Sequence, residues 1–474
     1  MSVTGAIAAF AKNVTYEEIP EKVKTEAKRL LLDSLGCAMG GIVTDKGRLA
    51  IRLAGSLGGP EEASLPGTGR RVSAASAAYA FGELLNALDY EALLFPPDHA
   101  TPYVLGGPLA AADMRSLSGK ELILATAIAH EIALRVGAAL QFGDRFRITL
   151  PERGVTMAIP TPGYGLCTLA GAAATARLWS LDEARIAHAM GIAGYQAPIP
   201  MLMKFSMVVP AGLPKYLSAG ALSHQTVMAV MAADLGVEGD PEILDGDYGF
   251  WRGFGADGWD PDVVIKDLGR SWFFPDRLFY KIYPCCGAMQ GALALFDNIL
   301  NTHHVDPDDI SGITVKLNLL AELPVWRSAH VENHIDAQFN VPYVFAVLAR
   351  GIEAGPVWQD PDTFRDPGIN RLMEKVRVIT DIDPEANTAP AVEVVIGSGP
   401  GKRVISGGDQ AMIRPMTDEA LVDKFLRNTR GIIDEGRARE AAAMVMELES
   451  VGNVRALFRF LENDAGVHGL RAEE

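Results

Sequence analysis

Apolar residues recur at helical spacing from the start of the chain to about residue 270. "EEIPEKVKTEAKRLLLDSLGCAMGG" follows that period and closes on Gly40-Gly41, a helix stop. "SGKELILATAIAHEIALRVGAAL" puts Ser118 at an N-cap with Glu121 three residues on, the capping-box pattern. "LAGAAATARLWS", "SLDEARIAHAMGIAGYQA" and "LPKYLSAGALSHQTVMAVMAADLG" predict further helices. They are rich in Ala and Gly and poor in charge, as helices inside a bundle are.

The pattern changes near residue 272. "SGITVKLNL", "AVEVVIG" and "KRVISGG" are short, β-branched and alternate with period two, so they predict strands. Helical stretches are interleaved, "CGAMQGALALFDNILNT" and "DAQFNVPYVFAVLARGI". After about residue 408 the helical period returns in "TDEALVDKFLRNTRGIIDEG", "AREAAAMVMELE" and "VRALFRFLE". This tail either closes the small α+β unit or rejoins the first helices. The chain reads as mostly α, with a large all-α domain and a smaller α+β domain.

Composition narrows the function classes. A chain of 474 residues exceeds one ordinary core and predicts two domains. Basic residues number 43 and acidic ones 59, a net charge of −16, which argues against nucleic acid or an anionic membrane as partner. No uninterrupted apolar run reaches the roughly 18 residues of a membrane span. The N-terminal stretch lacks the basic segment and long apolar core of a signal peptide. Cys37, Cys167, Cys285 and Cys286 suit neither a disulfide framework nor a zinc site, so a reduced, cytoplasmic protein is expected. GxxxxGK[ST], HExxH and CxxC motifs are absent, and no nucleotide, flavin or metal site is predicted.

"ALDYEALLFPPDHATP" interrupts two apolar runs with Asp89 and His99, ten residues apart across a proline pair. The ordinary reading is a capping acid and a satisfied structural histidine. The chemical reading is a cleft, because polar groups among such apolar helices need partners. Lys215 stands where the helix of "LPKYLSAG" is predicted to begin, and Lys281 precedes a turn and a helix. Each is a surface lysine or a carboxylate ligand, the helix N-terminus favouring an anion. Cys285-Cys286 is nucleophilic or simply small and buried. Tyr343, inside a helical run, is core or a phenolic proton donor. His130, His188 and His224 fall within apolar helical stretches and read as structural, and His303-His304 as surface.

These stretches together resemble the MmgE/PrpD family, whose members include 2-methylcitrate dehydratase, cis-aconitate decarboxylase and iminodisuccinate epimerase. The resemblance runs through "ALDY" and "HATP", "AHEIALRVG", "GAAATARLWSLDEARIAHAMGIAG", "LPKYLSAGALSHQTVMAVMAADLGVEGDPEILDGDYG", "KIYPCCGAMQGAL", "DAQFNVPYVFAVLARG" and "MTDEALVDKF". It implies a helical domain from both chain ends, 1–270 with 408–474, and an α+β lid, 271–407. It implies a homodimer without metal or organic cofactor. It also implies an active-site cluster of Asp89, His99, Lys215, Lys281 and Tyr343, with Cys285 beside the substrate.

The expected activity is a lyase, a dehydratase or decarboxylase, that removes a proton beside a carboxylate of a small substrate. His99, Asp89, Tyr343 and Lys215 are its expected catalytic groups, and Lys215, Lys281 and Cys285 its substrate contacts. An epimerase on the same scaffold and an inactive carboxylate-binding relative are the alternatives. The chain departs from the family pattern at three places. Ala92-Leu93 replace an acid and a hydroxyl, Pro162 stands at or beside a usual histidine, and Met289 at another. "APIPMLMKFSMVV" adds a stretch that is either core or an adaptable apolar wall. A substrate with one or two carboxylates and an apolar portion is therefore expected, rather than a tricarboxylate.

Overall fold

The structure is a computed structural model that describes residues 2–142, 147–150, 155–158, 163–198, 203–380, 390–397, 402–407 and 415–462. Pro162 and residues 199–202 of the methionine-rich stretch lie outside the described residues. The fold is mostly α with a smaller α+β portion.

Small residues set the centre of the helical part. The helices Ala74–Asn86 and Ala219–Asp234 pack closely. A Cβ on Gly82 would lie 2.6 Å from the Ala219 carbonyl oxygen, and one on Gly220 2.5 Å from that of Tyr79. Only glycine lets the two backbones come so near. Glu83 then reaches across, accepting from Gly220 N at 2.9 Å and from the Ser218 hydroxyl, the N-cap of the second helix. This crossing fixes the end of one helix and the start of the other, and the candidate site is built there.

Around the crossing lie Glu21–Gly41, Gly106–Met114, Gly119–Ala139, Cys167–Leu178 and Glu183–Gln196. Gly119–Ala139 opens on the Ser118/Glu121 capping box. By length and composition it is apolar enough to cross a membrane, yet it is mostly buried within the bundle and carries the buried Glu131–Arg135 pair. His130, on the same helix, is held by Thr126 O and Thr101 Oγ1, a structural role.

The α+β part holds a four-stranded sheet in the order Val376–Thr380, Ile310–Leu317, Ala391–Ile396, Arg403–Gly407. The first pair is parallel, with Val376 opposite Ile313, and the other two are antiparallel. Helices Gln290–His303 and Val341–Ala349 pack on the sheet and on each other. "DAQFNVPYVFAVLARGI" is two helices rather than one. The first, His334–Phe339, ends at Asn340, which caps the second through Tyr343 N.

Of the tail helices, Asp418–Thr429 and Glu435–Met446 both pack on Glu21–Gly41. From Asp418–Thr429, Lys424 enters the interior. It pairs with Asp33 at 2.6 Å and donates to the carbonyls of Tyr90 at 2.8 Å and Lys281 at 3.0 Å. Its ammonium lies 3.8 Å from the centre of the Tyr90 ring. One buried lysine thus ties the tail to the two segments that carry the site.

Candidate active site

Four segments converge beside the glycine crossing. The Ala74–Asn86 helix ends and the chain turns at Asp89 with φ 53°. Leu93–Leu94 pairs antiparallel with Leu278–Phe279, so the Asp89 loop and the approach to Lys281 are held together. The chain passes Pro96-Pro97 and Asp98, at φ 61°, to His99. Lys215 has φ 52°, and the helix after it starts only at its N-cap Ser218. Lys215 therefore precedes the helix, where the sequence placed it at the first turn. Positive φ is uncommon outside glycine and collects at functional sites. Here it occurs at Asp89, Asp98 and Lys215.

Asp89 is the hub. It is fully buried and its Oδ1 accepts from Lys215 Nζ at 3.0 Å. Its Oδ2 accepts from Lys281 Nζ at 3.0 Å, and Lys281 also donates to the Asp89 carbonyl at 2.8 Å. His99 Nε2 stands 3.8 Å from Oδ1, and the Tyr216 hydroxyl is 3.4 Å from both Oδ1 and Nε2.

The other face of the imidazole is fixed by Glu91, whose Oε1 lies 2.8 Å from His99 Nδ1. A carboxylate only accepts, so Nδ1 carries the proton and Nε2 is left for chemistry. The contact is braced from behind: Asn86 Nδ2 donates to the same Glu91 oxygen at 2.8 Å, and Lys46 donates to Asn86 Oδ1 at 3.3 Å.

The electrostatics follow from burial and pairing. Burial pushes the Asp89 carboxyl up, but Lys215, Lys281 and His99 outweigh it and hold the group well below the usual carboxylate range. Glu91 is likewise opposed by burial and brought down to about 2, chiefly by His99. Burial lowers Lys215 to about 8 despite Asp89 and Glu91. Lys281 meets the same burial, but Asp89 and Glu91 prevail and its ammonium is raised. Two carboxylates face two ammonium groups. The cluster is neutral when His99 is neutral and carries one positive charge when it is protonated.

Aromatic rings wall the polar centre. Tyr164 stands edge-on to His99 at 5.8 Å and stacks on Tyr103 at 4.7 Å. Tyr216 packs against His99 at 5.2 Å, and Phe205 and Phe339 against Tyr216 at 4.9 and 5.9 Å. Phe205 belongs to the methionine-rich stretch, so part of that stretch faces this wall.

Asp89, His99, Lys215 and Lys281 come together. Tyr343 does not join them. Its hydroxyl donates to the Trp358 carbonyl inside the α+β part, and burial with nearby Asp360 pushes its proton affinity above the ordinary phenol. The phenol beside His99 is Tyr216, next to Lys215 in the chain. Cys285 is fully buried. Its buried sulfur lies 3.4 Å from Gln290 Nε2, while Cys286 is the half-buried one. Glu91 and Tyr216 were not singled out in the sequence, although each adjoins or nearly adjoins a residue that was. Ala92 and Leu93 serve the backbone: Ala92 N donates to Asp33 at 3.0 Å and Leu93 pairs with Phe279. Met289 is buried core.

Asp89, Glu91 and His99 each offer a ligand atom within 4.8 Å of the others, a spacing a metal ion could use. Both Asp89 oxygens, however, already face ammonium groups, so a divalent cation would meet two positive charges at hydrogen-bond range. The donor set does not suit a metal.

Comparison with known proteins identifies the family. The MmgE/PrpD N-terminal domain matches residues 5–261 and the MmgE/PrpD C-terminal domain residues 283–450. A cis-aconitate decarboxylase of Aspergillus terreus is 24% identical over 490 residues, covering 97% of this chain and 96% of its own. A cis-aconitate decarboxylase-like protein of Aspergillus oryzae is 23% identical, with 98% of each covered. The cis-aconitate decarboxylase of Homo sapiens is 24% identical over 356 residues, 72% of this chain and 66% of its own. The chain belongs to the MmgE/PrpD family.

Proposed function

We propose that the protein is a cofactor-independent lyase that decarboxylates a small carboxylate. The observation that carries this reading is the convergence of Lys215, Lys281 and His99 on the buried Asp89. When a carboxylate beside an unsaturated carbon leaves as CO₂, its C–C bond electrons pass to that carbon. The ammonium groups stabilise the growing negative charge in a water-poor site. A proton from His99 Nε2 then completes the product, and Glu91 on Nδ1 balances the imidazolium until it is used. One proton donor is enough for this step, whereas an epimerase needs two opposed groups. The aromatic wall favours loss of a charged carboxylate, since burial costs the anion more than it costs CO₂.

The charge of the cluster supports a modest substrate. With one net positive charge at most, the cluster compensates one carboxylate in full. Each further carboxylate adds an uncompensated charge at a cost of several kcal/mol, and a tricarboxylate is the most disfavoured. A substrate with one or two carboxylates and an apolar portion is the reading, although two of the named relatives are cis-aconitate decarboxylases, which act on a tricarboxylate. The experiment is an NMR screen of unsaturated mono-, di- and tricarboxylates for CO₂ loss with chelator-treated protein. Turnover of a di- or monocarboxylate supports the reading. Loss of water, or epimerisation alone, replaces the decarboxylase with those activities. Efficient turnover of cis-aconitate, at about 10⁴ M⁻¹s⁻¹ or more, overturns the charge argument.

A further inference from the structure

Past the end of the Ala74–Asn86 helix come four buried residues, Ala87, Leu88, Asp89 and Tyr90, that belong to no helix or strand. Their carbonyls need donors, because a buried backbone acceptor left alone costs as much as a lost hydrogen bond. Each is met by a side chain from the second half of the chain. Gln338 Nε2 donates to the Ala87 carbonyl at 2.7 Å, and Gln359 Nε2 to that of Leu88 at 2.6 Å. Lys281 and Lys424 take the next two, those of Asp89 and Tyr90. Donors on four consecutive carbonyls hold Asp89 at φ 53°, a backbone that persists where its surroundings over-determine it.

The two glutamines also hold the turn that follows Lys281. The same Gln359 nitrogen donates to the Pro284 carbonyl at 3.0 Å, and the backbone carbonyl of Gln338 accepts from Cys286 N at 3.0 Å. Gln290 stiffens that turn, accepting from Ile282 N at 2.9 Å and donating to the Tyr283 carbonyl at 2.8 Å. Gln338 Nε2 and Gln359 Oε1 meet at 2.8 Å. Gln359 is therefore a crosspiece between the residue before Asp89 and the turn after Lys281, with both N–H bonds and its carbonyl in use. Gln338 leaves its Oε1 without a partner among the described residues, so Gln359 carries the link. The crosspiece is braced from behind. The Tyr343 hydroxyl donates to the carbonyl of Trp358, the residue before Gln359, and Trp358 stacks on Tyr283 at 5.8 Å. Only an amide fits here. A carboxylate would set oxygen against two carbonyls, and an ammonium could not accept from Gln338.

We propose that Gln359 is a positioning residue, which fixes the separation of Asp89 and Lys281 and so the place where the Lys281 ammonium meets charge growing on the substrate. This role deepens the lyase reading and rests on it for its kinetic effect. Among the described residues no hydrogen bond joins either glutamine to the Asp89 carboxylate, so the effect passes through the backbone. Tyr343 then serves the site from one carbonyl away, by bracing the crosspiece.

Crystal structures of wild-type and of Gln359→Met, which keeps the length and loses every hydrogen bond, test the geometry. In the variant the Asp89–Lys281 contact, 3.0 Å in the wild-type chain, opens, or Asp89 leaves its left-handed backbone. A site that superimposes on wild-type overturns the proposal. Kinetics on the carboxylate found in the screen test the consequence. Per folded molecule, kcat falls on the order of 10²-fold and KM changes less than about threefold. A glutamine with a merely structural role lowers the unfolding midpoint and leaves kcat per folded molecule unchanged, and that result also overturns the proposal. Gln338→Met loosens only the Ala87 end and the support of Gln359, and gives a smaller fall in kcat. It decides the matter if Gln359→Met does not fold, since wild-type separation and wild-type kcat in Gln338→Met then overturn the proposal. If wild-type turns over no carboxylate, the lyase reading falls by itself, and the Asp89–Lys281 separation still decides whether Gln359 sets it.

Discussion

Asp89→Asn isolates the electrostatic hub with little change of shape. Asn accepts the left-handed backbone that Asp89 adopts at φ 53°. The substitution removes the counter-charge of two buried ammonium groups held at 3.0 Å each. At an effective dielectric constant of about 20, each pair is worth roughly 5 kcal/mol before desolvation. Removing one partner of a buried pair costs about 3–5 kcal/mol net. Asn keeps one carbonyl acceptor, so the low end, about 3 kcal/mol at pH 7, is expected. The pH dependence is the sharper test. Lys215 sits near 8, below the 10.5 of a free lysine, and Asp89 is what raises it most. Without Asp89 it falls further. Between that lower value and 8, the folded variant binds fewer protons than its unfolded chain, and its stability rises with pH. Wild-type gains nothing from Lys215 until pH 8. The deficit should therefore shrink by about 1.4 kcal/mol per unit over part of the range from pH 6 to 8, then level off. Guanidinium unfolding followed by tryptophan fluorescence and circular dichroism reads this at pH 6, 7 and 8. A deficit under about 1 kcal/mol at pH 7, or one that grows with pH, refutes the argument.

Lys424→Met should lose about 3–5 kcal/mol, because it strands Asp33 and frees two site-bearing carbonyls; an unchanged unfolding midpoint would contradict this. Gly82→Ala should cost about 1–3 kcal/mol by pushing apart helices whose backbones touch there, as thermal unfolding will show. Glu91 is held near 2, so its contribution is full above pH 4.5 and lost as pH falls toward 2. Glu91→Gln should flatten acid unfolding in that window, and a curve that superimposes on wild-type would count against the pairing with His99.

The helices were legible because each carries its own signals: the Ser118 box, the Gly40-Gly41 stop, the Ala- and Gly-rich faces. The strand Val376–Thr380 was not, since "VRVIT" directly follows a helical run and pairs with Ile310–Leu317 only in the folded chain. In the site, Asp89, His99, Lys215 and Lys281 stood out as polar residues in apolar surroundings. Tyr343 was misplaced because helical position does not say which carbonyl a phenol will meet, and Trp358 lies fifteen residues away. Glu91 read as one more loop acid, since a contact to His99 depends on how the proline loop folds back.

The central claim is that His99 delivers the proton in a reaction on a small carboxylate. The measurement is turnover in D₂O of the carboxylate found in the screen, by wild-type and by His99→Asn, followed by NMR. The account predicts one solvent deuterium in each wild-type product molecule, and a kcat about 10²- to 10⁴-fold lower in the variant with little change in KM. Product formed at the wild-type rate by His99→Asn would contradict it.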